Sequence, residues 1–136
     1  MEKMFTGITI PRMVKIRQHF PRVTIADIAK ATREELSKEG MIGRIKNDDR
    51  VAIAVGSRGI ANMPRIVREI VIAVKERGTH PFIIPTMGSH GGATAKGQAE
   101  VLAELGITEE STGAPIVSSM EVVQIGVSKN GLPVYR

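Results

Sequence analysis

The stretch Pro81-Phe-Ile-Ile-Pro-Thr-Met-Gly-Ser-His-Gly-Gly-Ala-Thr94 decides how the rest of the chain is read. Phe82 to Ile84 is a short apolar run between prolines, the pattern of a buried strand. It empties into Thr86-Met-Gly-Ser-His-Gly-Gly92, and a helix is expected to begin near Thr94. Three glycines around one histidine permit left-handed backbone angles and let a ligand come close to the main chain. Histidine exchanges protons near neutral pH, and His90 stands in the middle of this loop. Helix N-termini present unpaired N–H groups with a partial positive charge, which suits a carboxylate or a phosphate. The loop, with Gly88, Ser89, His90, Gly91 and Gly92, is the first candidate site.

The same order of elements stands upstream. Arg50 leads into Val51-Ala-Ile-Ala-Val55, an apolar run without polar alternation, which predicts a strand buried on both faces. Gly56-Ser-Arg-Gly-Ile-Ala-Asn62 follows, then a helix over 63–77 with Asn62 as cap, Pro64 in its first turn and Gly78 at its end. Ile66, Val67, Ile70, Val71 and Val74 recur at helical spacing as its buried stripe. After the glycine loop, a second helix runs to Leu105 and stops at Gly106. Two strand–loop–helix units over 50–106 predict neighbouring parallel strands in an α/β fold. Ligands of such sheets sit outside the carboxyl ends of the strands, so loops 56–62 and 86–93 should share one rim.

The flanks are simpler. Over 1–23, Ile8, Ile10, Val14 and Ile16 alternate with basic positions between Pro11 and Pro21, an extended basic arm or short edge strand. Thr24 is the expected N-cap of a helix that runs to Gly40, with Ile25, Ile28, Ala29, Thr32 and Leu36 inward. Asn47-Asp-Asp49 is a turn, and Thr108 to Pro115 reads as a loop. A strand near Ile116–Val117, another over Glu121–Val127, the turn at Asn130-Gly131 and a return over Leu132–Tyr135 complete a C-terminal hairpin. The sequence ends at Arg136 within it, so a piece of a longer protein is expected.

Composition bounds the function. With 136 residues the chain is expected to be a single domain, residues 1–136, large enough for a real core. No apolar run approaches the roughly 20 residues of a membrane helix, and the first eight residues lack a signal-peptide core. The absence of cysteine excludes disulfides, a thiolate nucleophile and a cysteine metal site. A soluble cytoplasmic protein without a membrane partner is the expectation. The net charge of +5 suits an anionic ligand. Its basic residues are dispersed, and only Phe5, Phe20, Phe82 and Tyr135 are available for base stacking, so nucleic acid is not an expected partner.

Neither glycine loop carries a nucleotide-binding motif, since GxxxxGK[ST] and GxGxxG are both missing. What remains is Arg58, a cation able to grip a carboxylate with two N–H groups, and His90 as acid or base. Ser57 and Ser89 offer hydrogen bonds to an anion, but neither has an evident base to make it a nucleophile. His80 lies across a short strand from His90, roughly 10 Å away at ~3.3 Å per residue, too far to share a metal ion. No metal site is expected. The plainer alternatives stay open: an Arg58 that caps a nearby helix C-terminus or faces solvent, and a His90 bonded to backbone.

The segments Asp49-Arg-Val-Ala-Ile-Ala-Val-Gly-Ser-Arg-Gly59 and Pro85-Thr-Met-Gly-Ser-His-Gly-Gly-Ala-Thr94 resemble the N-terminal domain of the nickel-dependent lactate racemase family. The resemblance extends over roughly 45–135. It implies a Rossmann-like three-layer arrangement with a mainly parallel sheet and a C-terminal β-hairpin. It also implies a second α/β domain after residue 136, with the active site between the two; apolar surface left exposed where that domain should dock would favour a homo-oligomer of this chain. Such enzymes racemise a 2-hydroxy acid with a nickel-pincer nucleotide that takes a hydride, while histidines move the hydroxyl proton. His90 matches the first catalytic histidine. Arg58 lies where the family has an Asp-His-Thr-Arg-Pro type motif, here Gly56-Ser-Arg-Gly-Ile60, without the aspartate and proline. That departure points to a different hydroxy acid or a polyol. The expected substrate contacts are Arg58, Ser57, Gly88, Ser89, Gly91 and Gly92. The residues that hold the cofactor would lie after Arg136, so none is expected on this chain alone, which should be catalytically silent. The alternative is a non-catalytic module that binds a small anion or phosphate.

Overall fold

The computed structural model describes residues 12–21, 23–38, 40 and 42–135. The arm positions Ile8, Ile10, Pro11 and Arg22, and the terminal Arg136, lie outside the described residues. Residues 12–21 are exposed and carry no strand, so the edge-strand alternative is not met there.

Two parallel strands form the centre. β1 (Arg50–Val55) and β2 (His80–Pro85) pair in register from Arg50↔His80 to Val55↔Pro85. β2 is longer than its apolar run because the His80 N–H bonds the Asp49 carbonyl at 2.8 Å, which starts the ladder ahead of Pro81. On the other side of β2, the Ile83 N–H donates to the Pro115 carbonyl and the Val117 N–H to the Ile83 carbonyl, both at 2.8 Å. This single parallel bridge at Ile116 stands where the sequence predicts a strand.

Helix α2 (Met63–Lys75) links β1 to β2, and α3 (Ala95–Glu104) follows β2. Ile53, Val55 and Ile83 of the strands bury against Val67 and Val71 of α2 and Leu102 of α3, with Ile107 and Ala114 closing the cluster. Ile83 and Leu102 have no exposed surface. Burial of side chains this size stabilises the fold by roughly 1.5–3 kcal/mol each. Ile53 and Ile83 are register partners and so share a face, which places both helices on that one side of the sheet. Burial of β1 on both faces is therefore corrected: Ala52 and Ala54 are exposed, and Phe82 and Ile84 half-buried, because α2 and α3 cover the opposite side. An unbroken apolar run of small residues does not specify how many faces are covered.

Three further boundaries move. α1 (Ile28–Ser37) starts at Asp27, whose carboxylate accepts the Lys30 N–H at 2.9 Å, and not at Thr24, and it ends at Ser37 before reaching Gly40, because Lys38 turns to an extended backbone. It packs on α2, where Arg33 reaches Glu76 at 3.0 Å and Glu69 at 3.3 Å. The 108–115 loop contains a short helix, α4 (Glu109–Thr112), held by reciprocal Thr108 and Ser111 bonds and ended by Gly113 at φ 80°. The hairpin is formed by β3 (Gln124–Val127) and β4 (Pro133–Tyr135), antiparallel, with Gly131 at φ 78° in its turn. It is shorter than its sequence pattern and exposed throughout. Among the described residues, no helix is long and apolar enough to cross a membrane.

Candidate functional site

The parallel register carries the two glycine loops off the same rim. Beyond the strand ends the Thr86 N–H still bonds the Val55 carbonyl at 2.8 Å, so residues 56–60 and 86–90 start side by side. Between them lies a cavity of about 400 Å³. Ser57, Arg58, Thr86 and His90 give it polar walls, with Ile60, Met63 and Met87 as apolar floor. Ser57 Oγ stands 2.5 Å from His90 Nδ1. The serine is half-buried, while Arg58 and His90 are exposed. Among the described residues, Arg58 has no carboxylate within ion-pairing distance.

The histidine loop is braced from behind. Gly88 takes φ 59°, and its carbonyl accepts a 2.8 Å hydrogen bond from Nε2 of Gln98, a buried side chain on α3. Gly91, Gly92 and Ala93 follow with φ of 61°, 65° and 53°, three left-handed residues in succession. That run folds the chain back so that Gly91 lies directly against Gly97 of α3, with no room for a Cβ on either. Thr94 completes the clamp, donating to the Gly91 carbonyl and accepting the Gly97 N–H, both at 3.0 Å. The His90 N–H bonds the Met87 carbonyl at 3.2 Å, and Met87 is buried. Glycine adopts these angles freely, whereas Ala93, a non-glycine at φ 53°, persists there only where its surroundings hold it.

The structure thus brings together Ser57, Arg58 and His90 of the expected residues. Gly88, Ser89, Gly91 and Gly92 lie outside the cavity lining. Gly88 and Gly91 instead hold the loop on α3, and the α3 N–H at Gly97 is already taken by Thr94. The view that neither serine has a nearby base is corrected for Ser57, whose partner His90 is 33 residues on. Asn62 stands at the start of α2 as expected, yet in a left-handed conformation at φ 61° and without a capping side-chain bond. Thr94 caps α3 as expected. Thr86, Ile60 and Met63 are additions that the sequence did not mark, and Gln98 is legible only as a polar residue that breaks an apolar helix face.

His80 opens β2 at the far rim, exposed and 3.7 Å from the Asp48 carboxylate. Among the described residues, no group of three or more histidine and acidic side chains is placed to hold a metal ion. A larger cavity, about 560 Å³, opens between α1 and α2 among Ile25, Ile28, Leu36, Ile66 and Ile70. Its walls are mostly apolar, with Thr24, Thr32 and Asn62 as polar members and Glu35 as their only titratable group, so the smaller cavity is the chemical candidate. No protein-family model, curated protein or solved structure matches this chain.

Proposed function

We propose that this chain is the N-terminal, substrate-site domain of a nickel-pincer-dependent racemase or epimerase of 2-hydroxy acids, similar to lactate racemase. The observation that carries the reading is the convergence of Arg58 and His90 on one cavity, from the two segments that bear the resemblance. Its volume of about 400 Å³ falls within the range of small-molecule sites. In this reading the Arg58 guanidinium forks onto the substrate carboxylate, and the His90 imidazole takes or returns the hydroxyl proton. The sheet with α2 and α3 would be two layers of a Rossmann-like three-layer arrangement, the third lying over Ala52, Ala54, Phe82 and Ile84. A second domain would close the cavity from above.

The nickel-pincer group, when bound, supplies the hydride acceptor. The cavity has no lysine to attach it and His90 as its only imidazole, so these residues do not form its binding site. That role falls to other residues of the complete protein, and this chain's share is to orient the acid and move its hydroxyl proton.

The test uses the complete, cofactor-loaded protein with single enantiomers of lactate and longer 2-hydroxy acids, read by chiral chromatography. His90→Ala is expected to lower turnover by about 10²–10⁴-fold, the usual share of a general acid–base. Unchanged racemisation by that variant overturns the assignment. Binding of lactate or inorganic phosphate without any interconversion by the loaded protein favours the anion-binding module.

A further inference from the structure

His90 is held asymmetrically. Its Nδ1 faces Ser57 Oγ at 2.5 Å, and among the described residues no other hydrogen bond is made to either ring nitrogen. The tautomer of a neutral imidazole is set by the bond one of its nitrogens makes. A serine hydroxyl leaves that choice open, because it donates and accepts equally well. What settles the direction is the hydroxyl's second partner. Ser57 and Arg58 are consecutive and line the same cavity, so an anion held there by Arg58 would come within reach of the Ser57 hydroxyl. A carboxylate only accepts hydrogen bonds. Ser57 must then donate to the anion, which leaves its oxygen lone pairs for Nδ1–H.

We infer that Ser57 is a positioning residue that couples anion binding to the tautomer of His90. With a carboxylate on Arg58, the hydrogen bonds run in one direction, from Nδ1–H to Ser57 Oγ and from the Ser57 O–H to the anion. Nε2 is then unprotonated and available as a base. Without the anion, Ser57 is free to donate to Nδ1, and Nε2 carries the proton. The substrate's own carboxylate thereby prepares the base that takes the proton from its hydroxyl. Hydrogen-bonded chains of this kind polarise one another, so each bond reinforces the next.

This inference rests on the carboxylate-anchor part of the proposed function, but its readout is not turnover. The chain carries three histidines, His19, His80 and His90, and His90→Gln assigns the last in nitrogen-15 spectra. Spectra are taken at about pH 8.5, well above the ordinary imidazole range, with and without saturating lactate. Lactate is expected to shift His90 toward the Nδ1–H form by roughly fivefold, the bias that one hydrogen bond of ordinary net strength supplies. Ser57→Ala, which removes one hydrogen bond to the anion, should bind lactate more weakly and, once saturated, show no shift, and Ser57→Thr should restore it. A lactate-bound His90 that stays in the Nε2–H form overturns the inference, as does the same shift in Ser57→Ala. Failure of lactate to perturb His90 at all also overturns it. Racemisation by the complete protein would in each of those cases leave the enzyme reading standing.

Discussion

Alanine in place of glycine inside a helix ordinarily stabilises a protein, and Gly97 should do the opposite. It lies in the first turn of α3 with ordinary helical backbone, so propensity alone favours alanine by about 1 kcal/mol. The added Cβ, however, would overlap the Gly91 carbonyl oxygen and come within 2.7 Å of its carbon and 2.9 Å of Thr94 Oγ1. Two of those atoms are backbone and cannot rotate away. Relief requires the 88–93 loop to move off the helix, at the roughly 1–3 kcal/mol typical of overpacking. The displacement also strains the Thr94 cap, a further ~1 kcal/mol if lost. Against the propensity gain, the net expectation is a loss of about 1–3 kcal/mol, or a melting temperature lower by roughly 3–10 °C for a chain this size.

Urea unfolding of Gly97→Ala against the parent chain measures the sign directly, with an unchanged slope required for a two-state comparison. Gly92→Ala is the control, because its Cβ meets nothing within 4 Å and it pays only for φ +65°, about 1–2 kcal/mol. Gly91→Ala combines both penalties, with φ +61° and a Cβ only 2.5 Å from Gln98 N, and should be the worst of the three. A Gly97→Ala chain more stable than the parent by 0.5–1 kcal/mol, the ordinary helix value, would refute the close approach of loop and helix.

Three other outcomes check the fold. Asp27→Ala should lose about 1 kcal/mol by urea unfolding while Thr24→Ala stays within about 0.5 kcal/mol, since Asp27 alone caps α1. Leu102→Ala, at a position with no exposed surface, should cost roughly 2–5 kcal/mol in the same assay. The hydrogen bond from Arg33 lowers the Glu76 carboxyl below its ordinary 4.5. A depressed folded pKa means stability that is present above 4.5 and lost as pH falls through the folded value, so Arg33→Ala should flatten the acid limb of a stability–pH curve below that point.

The sheet and its rim were legible because two independent patterns agree on them. The apolar runs at 51–55 and 82–84, each followed by glycines and then a 3.6-residue periodicity, leave little choice but parallel neighbours. Boundaries that depend on competing caps were not legible. Thr24 and Asp27 both precede apolar helical positions, and only the extended backbone at Asp27, φ −118°, shows which carboxylate or hydroxyl reaches an N–H. Burial of β1 failed for a different reason: alternation cannot be seen in a strand whose outward residues are alanines, which are tolerated on either side. α4 was hidden because four residues are too few to show a period.

The pairing of Ser57 with His90 is the most instructive gap. Nothing in either loop's sequence marks the partner, because the contact depends on register across 33 residues. Once Val55 is set against Pro85, however, the second residue after the first strand and the fifth after the second are carried to the same rim. The remaining freedom is removed by α3, where Gln98 grips the Gly88 carbonyl and Gly91 meets Gly97. Parallel register carries both residues to one rim, and the glycine clamp fixes the loop that presents His90 to Ser57. Gly88 and Gly91, whatever else they meet, brace the loop that presents the histidine. Substitutions at Gly91 and Gly97 should therefore disturb the His90 ring more than any ligand contact of their own.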